Sequence, residues 1–352
     1  MDVGASKMEG VRVRNFQFLL LSLILVSCST SQKIKQVDTQ KLAKNEEFET
    51  QVKIFIPEEV STEAKEDAVL PVKISTVTES QKVKSVKVSK PKKVDFKKEI
   101  KREPEIEPFE GFEGRRPLKD PFRVGEKVTH RVHYFNVTAG TLDIEVRPFA
   151  QVNGKKSYNF YLGIKSSPFF SNFYSVNDSA TTLMDFEKLI PSVFTLHVRE
   201  KAQVREARAY FDHESLEAKY WEKKVTDKDG EQEKKLEWEI LPFSQNVYST
   251  VFYMRTFQWD VGKEVQFRVA HDKDNLVYRG KALRREKIKI EAGEFSALVI
   301  KPEFELKGKF QPSGDNYIWI SDDDRKLILK IESKIKIGTL VSEAIQINLG
   351  AL

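Results

Sequence analysis

Residues 141–147 read Thr-Leu-Asp-Ile-Glu-Val-Arg, and residues 326–337 read KLILKIESKIKI. In the first run Leu142, Ile144 and Val146 fall on one side of an extended chain. Thr141, Asp143, Glu145 and Arg147 fall on the other. In the second run Leu327, Leu329, Ile331, Ile335 and Ile337 point one way, with lysines and Glu332 mostly opposite. A repeat of two is the side-chain period of a strand, and one apolar plus one polar face is the mark of an antiparallel sheet wet on one side. Shorter runs of the same texture occur at 127–135, 156–164, 192–199, 203–211, 264–270, 286–291, 294–302 and 339–348. Asn153-Gly154 and Asp229-Gly230 carry type I′ hairpin chemistry, since that turn needs positive φ at both central residues. Arg279-Gly280, Ala292-Gly293 and Ser313-Gly314 read as further turns. Many short strands at regular spacing predict a mainly β fold: one large curved antiparallel sheet, a half-open barrel.

Two segments break the strand pattern. SPFFSNFY at 167–174 predicts a short helix after Pro168. SQNVYSTVFYMRTF at 244–257 predicts a longer one, with Ser244 as its N-cap. Its apolar residues (Val247, Tyr248, Val251, Phe252, Met254 and Phe257) circle nearly the whole helix. Such a helix is buried on most sides, and the concave face of the curved sheet is the place for it.

The N-terminus has a different character. Arg12 and Arg14 precede an apolar run from Phe16 to Val26, which is too short to span a bilayer and reads as an export signal. It ends in Leu25-Val26-Ser27-Cys28, a lipobox, with Cys28 as the lipidated first residue of the mature chain. Met8 to Ser27 is a complete signal by itself, so either Met1 or Met8 serves as a start. The competing reading is an ordinary secretory signal. Cys28 is the chain's single cysteine, however, and a free thiol in an oxidising compartment is a liability. Ser29 is not the aspartate that marks inner-membrane retention, so the expected address is the outer membrane, facing the periplasm.

The expected organisation is a signal peptide over 1–27, a lipidated and disordered tether over 28–115, and a β domain over 116–352. The tether is rich in Lys, Glu, Val, Ser and Gln and poor in aromatics, a composition that cannot offset ordering entropy. As a flexible coil it would span roughly 50 Å. Its lysine block at 81–98 reads either as a contact for anionic lipid or cell-wall polymer, or as a solvated spacer, and the spacer is favoured. The net charge of +6 is spread evenly along the chain, which argues against nucleic acid as a partner.

Residues 123–147 (RVGEKVTHRVHYFNVTAGTLDIEVR) and 317–338 (YIWISDDDRKLILKIESKIKIG) resemble a bacterial domain-of-unknown-function family, number 3108. The matching features are Gly125-Glu126, an Ala139-Gly140-Thr141 turn, and the closing Trp319, Ser321, Asp322, Asp323 and Arg325, followed by an Ile-Glu-Ser strand and Gly338. The resemblance implies an exported, mainly β domain, often on lipoproteins. It supplies no catalytic residues.

Other chemistry is sparse. Asp322, Asp323 and Asp324 sit between two strands and read as a turn, because consecutive strand residues point apart. His130 and His133 would face opposite ways on a strand, and no cysteine partners them, so no metal site is expected. No nucleophile elbow or phosphate-cradling loop is present, so no catalytic residue and no cofactor are assigned. Phe169, Phe170, Phe173, Tyr174 and Asp178 are the candidate ligand mouth, with core packing as the competing role for the aromatics. The expected function is a non-enzymatic envelope lipoprotein. It would bind a lipid, a lipoprotein or a cell-wall polymer in its concavity. The alternative is an assembly partner that docks another protein by its sheet edge.

Overall fold

The computed structural model describes residues 37, 39–57, 117–306, 309–310, 315–335 and 338–351. The signal peptide, Cys28 and the expected tether, apart from residues 37 and 39–57, lie outside the described residues.

The strands form in chain order as β1 (Ile54–Phe55), β2 (Glu126–Tyr134), β3 (Val137–Val152), β4 (Lys155–Ser166), β5 (Asn177–Asp185), β6 (Pro191–Glu200), β7 (Gln203–Asp212), β8 (Glu217–Thr226) and β9 (Gly230–Glu239). They continue as β10 (Glu264–His271), β11 (Asp274–Ile290), β12 (Gly293–Leu306), β13 (Lys309–Phe310), β14 (Asn316–Ser321), β15 (Ile328–Ile335) and β16 (Gly338–Leu349). All sixteen join one sheet, and the named strands pair antiparallel with their neighbours.

Sequence neighbours are spatial neighbours almost throughout. Besides β1 on β3 and β14 on β12, one pairing departs from chain order and joins the two ends of the domain: β16 pairs with β2, Leu340 opposite Tyr134 and Leu349 opposite Glu126. The seam of this meander therefore falls between β9 and β10, and there the sheet stays open.

The helix expected in the concavity lies on the chain between those two edges. It is shorter than predicted: α4 here denotes Val247–Tyr253, followed by a single 3-10 turn at Met254–Thr256. Its N-cap is Asn246 rather than Ser244. Asn246 Oδ1 accepts the Ser249 N–H at 2.7 Å, and Ser249 Oγ accepts the Asn246 N–H at 2.9 Å. The helix cannot begin at Ser244 because Gln245 is extended, forming a parallel bridge to Val269 on the β10 edge. Val247, Phe252, Tyr253, Met254 and Phe257 are buried among Val132, Ile144, Phe160, Phe267, Tyr278 and Ile331. Phe252 stacks on Phe160 at 4.2 Å, and Tyr253 meets Phe267 edge-on at 4.9 Å. The core is thus a sheet wrapped on a short aromatic helix.

Turn chemistry is mostly as expected. Asn153 and Gly154 both have positive φ and close β3 onto β4. Asp229-Gly230 closes β8 onto β9, with positive φ at Gly230 alone among the pair. Arg279-Gly280 is a correction: it lies inside β11. A Cβ at Gly280 would sit 2.6 Å from the Trp259 ring, so the glycine makes room for an indole rather than a turn. Ala139-Gly140-Thr141 is likewise within β3, the hairpin turn falling earlier, at Phe135-Asn136. A Cβ at Gly140 would lie 2.1 Å from the Lys165 carbonyl oxygen. Ser313-Gly314 lies outside the described residues.

Residues 39–57 depart from the predicted disorder. They form α1 (Thr39–Ala43), α2 (Glu46–Gln51) and β1, and pack on the convex side of the sheet. Phe48 and Val52, only 2% and 4% exposed, join Ala150, Val152, Leu183, Val193 and Trp221. Phe48, set between glutamates, is a weak signal in sequence. It is sufficient once a complementary apolar face exists to receive it.

Candidate functional site

The site is built on β5 to β8. Register fixes its face. Leu196 pairs with Ala207, and Ala207 with Glu222. Val198 pairs with Arg205. These residues share the concave face with Phe194 and Ala209, and Tyr248 of α4 stacks on Phe194 at 4.6 Å. Toward the β4–β5 and β6–β7 turns the same face becomes polar.

Glu200, 7% exposed, is the centre of that polar patch. Its Oε2 accepts from Tyr174 Oη and from Gln203 Nε2, each at 2.5 Å. The Asp178 carboxyl is close enough to feel the Glu200 charge, and Asp178 Oδ1 accepts the Arg199 N–H at 2.8 Å. Burial, reinforced by the Glu200 charge, pushes Asp178 up to about 7 against the opposing pull of the Arg199 N–H and Arg205. One step away, Glu222 accepts from Tyr220 Oη and from Arg205 Nη1, the latter at 3.5 Å. Burial raises both Tyr174 and Tyr220, so each stays a hydrogen-bond donor across the physiological range. The result is three carboxyl groups, one guanidinium and two phenols on a half-buried surface. Such a surface can hold a polar head group by several hydrogen bonds.

A short helix forms the lip. Denoted α3, it runs Pro168–Ser171, the short helix the sequence predicts, and Ser167 is its N-cap. Its loop is tied down on three sides. Ser167 Oγ donates to the Thr138 carbonyl at 2.9 Å, the Val176 N–H donates to Ser166 Oγ at 3.0 Å, and Lys201 Nζ donates to the Phe173 carbonyl at 3.0 Å. Phe169 and Phe173 nevertheless point outward, 59% and 66% exposed, with ring centroids 5.5 Å apart. Phe135 and Val137, on the neighbouring hairpin, are exposed too.

The five predicted mouth residues therefore divide. Tyr174 and Asp178 turn inward and join the polar patch. Phe169 and Phe173 form an exposed lip, and Phe170 is half-buried between the two. Glu200, Gln203, Arg205, Tyr220 and Glu222 were not singled out in sequence. They lie on strands where charged residues alternate normally, and nothing in the alternation shows which charges face inward.

Two other predicted clusters have structural roles. His130 is buried, within 3.0 Å of both the Ile328 carbonyl and Ser342 Oγ, and lack of solvent lowers it to about 4. In the acidic triplet, Asp323 Oδ1 accepts the Arg325 and Lys326 N–H groups at 2.9 and 3.0 Å, which is a turn role. On the convex face, His197 Nδ1 lies 2.6 Å from Glu206, which also binds Arg199. Burial alone would raise Glu206, but those two partners hold it below the usual carboxylate range.

A model of the family described as "Protein of unknown function (DUF3108)" matches residues 129–345. The chain belongs to this family. The DUF3108 segment contains the whole polar patch and the lip. A beta-barrel-like protein of DUF1849 from Brucella abortus is similar at 7% identity and TM-score 0.39, over 63% of this chain and 96% of that one. A Bacteroides fragilis protein described as exported, with a YmcC-like fold, is similar at 8% identity and TM-score 0.29, over 65% and 98%. No curated protein matches the chain.

Proposed function

We propose that this DUF3108 protein is a bacterial envelope lipoprotein, held through Cys28 at the outer membrane and facing the periplasm. In this proposal it is a non-enzymatic module that binds an amphipathic envelope component. The apolar part of the ligand lies on the exposed rings of Phe169 and Phe173, and its polar head meets Asp178, Glu200 and Arg205. The observation that carries the proposal is the placement of a hydrogen-bonding patch on the concave face directly behind an exposed aromatic lip. The lipobox and the export signal supply the location.

Docking by a sheet edge has less support. The β9 edge reads GEQEKKLEWE and is almost wholly exposed and charged, the pattern that resists strand addition. The β10 edge is engaged by Gln245, whose N–H donates to the Arg268 carbonyl and whose carbonyl accepts from the Ala270 N–H, both at 2.8 Å.

Native mass spectrometry of the full chain, extracted in mild detergent, tests the binding function. The expected result is a co-purifying amphiphile that is depleted in Glu200→Gln and Arg205→Ala. A clean protein mass after gentle isolation overturns it.

A further inference from the structure

We propose that Thr39–Pro57 is a non-covalent clasp, and that this clasp, rather than the covalent segment 58–116, fastens the N-terminus to the sheet. Helices of five and six residues have no independent stability, so α1 and α2 exist only because the convex face holds them.

The fastening is extensive. Asn45 Oδ1 caps α2 by accepting the Phe48 N–H at 2.9 Å. Phe48 meets Trp221 edge-on at 5.8 Å and lies beneath the Arg208 guanidinium at 5.3 Å. Glu47 accepts from Trp221 Nε1 at 3.0 Å and from Lys235 Nζ at 2.7 Å. Beyond α2 the hairpin residue Asn153 takes over. The Lys53 N–H donates to its Oδ1 at 2.8 Å, its own N–H donates to the Lys53 carbonyl at 2.9 Å, and Ile54 and Phe55 pair with Val152 and Gln151. One segment of nineteen residues thus engages strands from β3 to β9.

Two consequences follow. The stretch 58–116 connects two segments that are both seated on the same sheet, so it is an internal connection and not the tether. The true tether is what precedes Thr39. From Cys28 that is eleven residues, a reach of at most about 40 Å. This second consequence rests on the proposed anchor at Cys28; the clasp itself does not.

The test inserts a sequence-specific protease site between Ser80 and Gln81 of the full chain. After complete cleavage in mild detergent, the two pieces are expected to co-elute in size exclusion at micromolar concentration. Phe48→Ala is expected to weaken their association about 100-fold or more, and loss of the cap in Asn45→Ala about 5-fold to 10-fold. Circular dichroism of each variant checks that the β domain is intact. Separation of the wild-type pieces overturns the clasp. Membrane partition of uncut Cys28→Ser is read separately, so failure of the anchor and failure of the clasp give different results.

Discussion

Arg255 and Glu126 form a two-pronged ion pair in the interior, each side chain 1% exposed, with Nη1–Oε1 at 2.7 Å and Nη2–Oε2 at 3.1 Å. Arg255 lies in the 3-10 turn after α4 and Glu126 begins β2, so the pair ties the internal helix to the first strand of the DUF3108 domain. Arg325 also binds Glu126, and both arginines donate to the Pro121 carbonyl, at 3.3 Å from Arg255 and 2.9 Å from Arg325. Two residues carrying the family resemblance, Glu126 and Arg325, therefore belong to one buried network. Glu126→Ala leaves a buried guanidinium without its counter-charge and is expected to cost about 3–5 kcal/mol, measured by urea unfolding. Arg255→Met, which removes a charge and keeps the volume, should cost less only when paired with Glu126→Gln.

Acid should destabilise the protein through two histidines. Burial holds His130 and His213 down to about 4, while the unfolded chain titrates near the ordinary value of 6.5. The unfolded state therefore binds more protons between those limits, and stability present above pH 6.5 is lost as pH falls toward 4. Each histidine contributes a loss of about 3 kcal/mol across the window. Unfolding free energies at pH 7 and pH 4.5 check this, and His213→Gln should remove part of the slope.

Asp178 acts in the opposite direction. Its folded form holds a proton up to about 7, whereas the unfolded side chain releases it near 3.8. The folded state binds more protons between these values, so this residue lowers stability as pH rises from about 4 to 7. Asp178→Asn is expected to raise the melting temperature at pH 8 and leave it nearly unchanged at pH 4. Equal shifts at both pH values would rule out the upward shift of Asp178.

Gly140 is predicted to tolerate no side chain. Its constraint is spatial, since a Cβ would meet the Lys165 carbonyl oxygen at 2.1 Å, and backbone cannot rotate away. Gly140→Ala should cost about 2 kcal/mol or more, read as a lower unfolding midpoint. Gly154→Ala strains a turn through positive φ alone, with open space around it, and should cost about 1 kcal/mol.

The strands most legible in sequence were those with one wet face. Leu142, Ile144 and Val146 are buried as the alternation requires; Leu327, Leu329 and Ile331 are buried too, but so is Ile328, and Ile328 and Ile331 share one core cluster while Leu327 and Leu329 join another, where β14 and β15 shift register. The predicted run at 326–337 begins late, with β15 starting at Ile328, because Lys326 has positive φ and belongs to the preceding turn. Strands β8 and β9 escaped notice because KYWEKKVT and GEQEKKLEWE place charges on both faces. Only pairing with their neighbours identifies them.

Periodicity, turn residues and the apolar girdle of 247–257 are local properties of the chain. They suffice for a mainly β protein with a helix inside its sheet, because side-chain alternation and burial follow from hydrophobic pattern alone. Which strands meet is not local. The pairing of β16 with β2, the docking of Phe48 against Trp221, and the gathering of Asp178, Glu200 and Arg205 on one surface join residues far apart in sequence. Those associations are set by the register and curvature of the completed sheet, and only the tertiary structure brings them together.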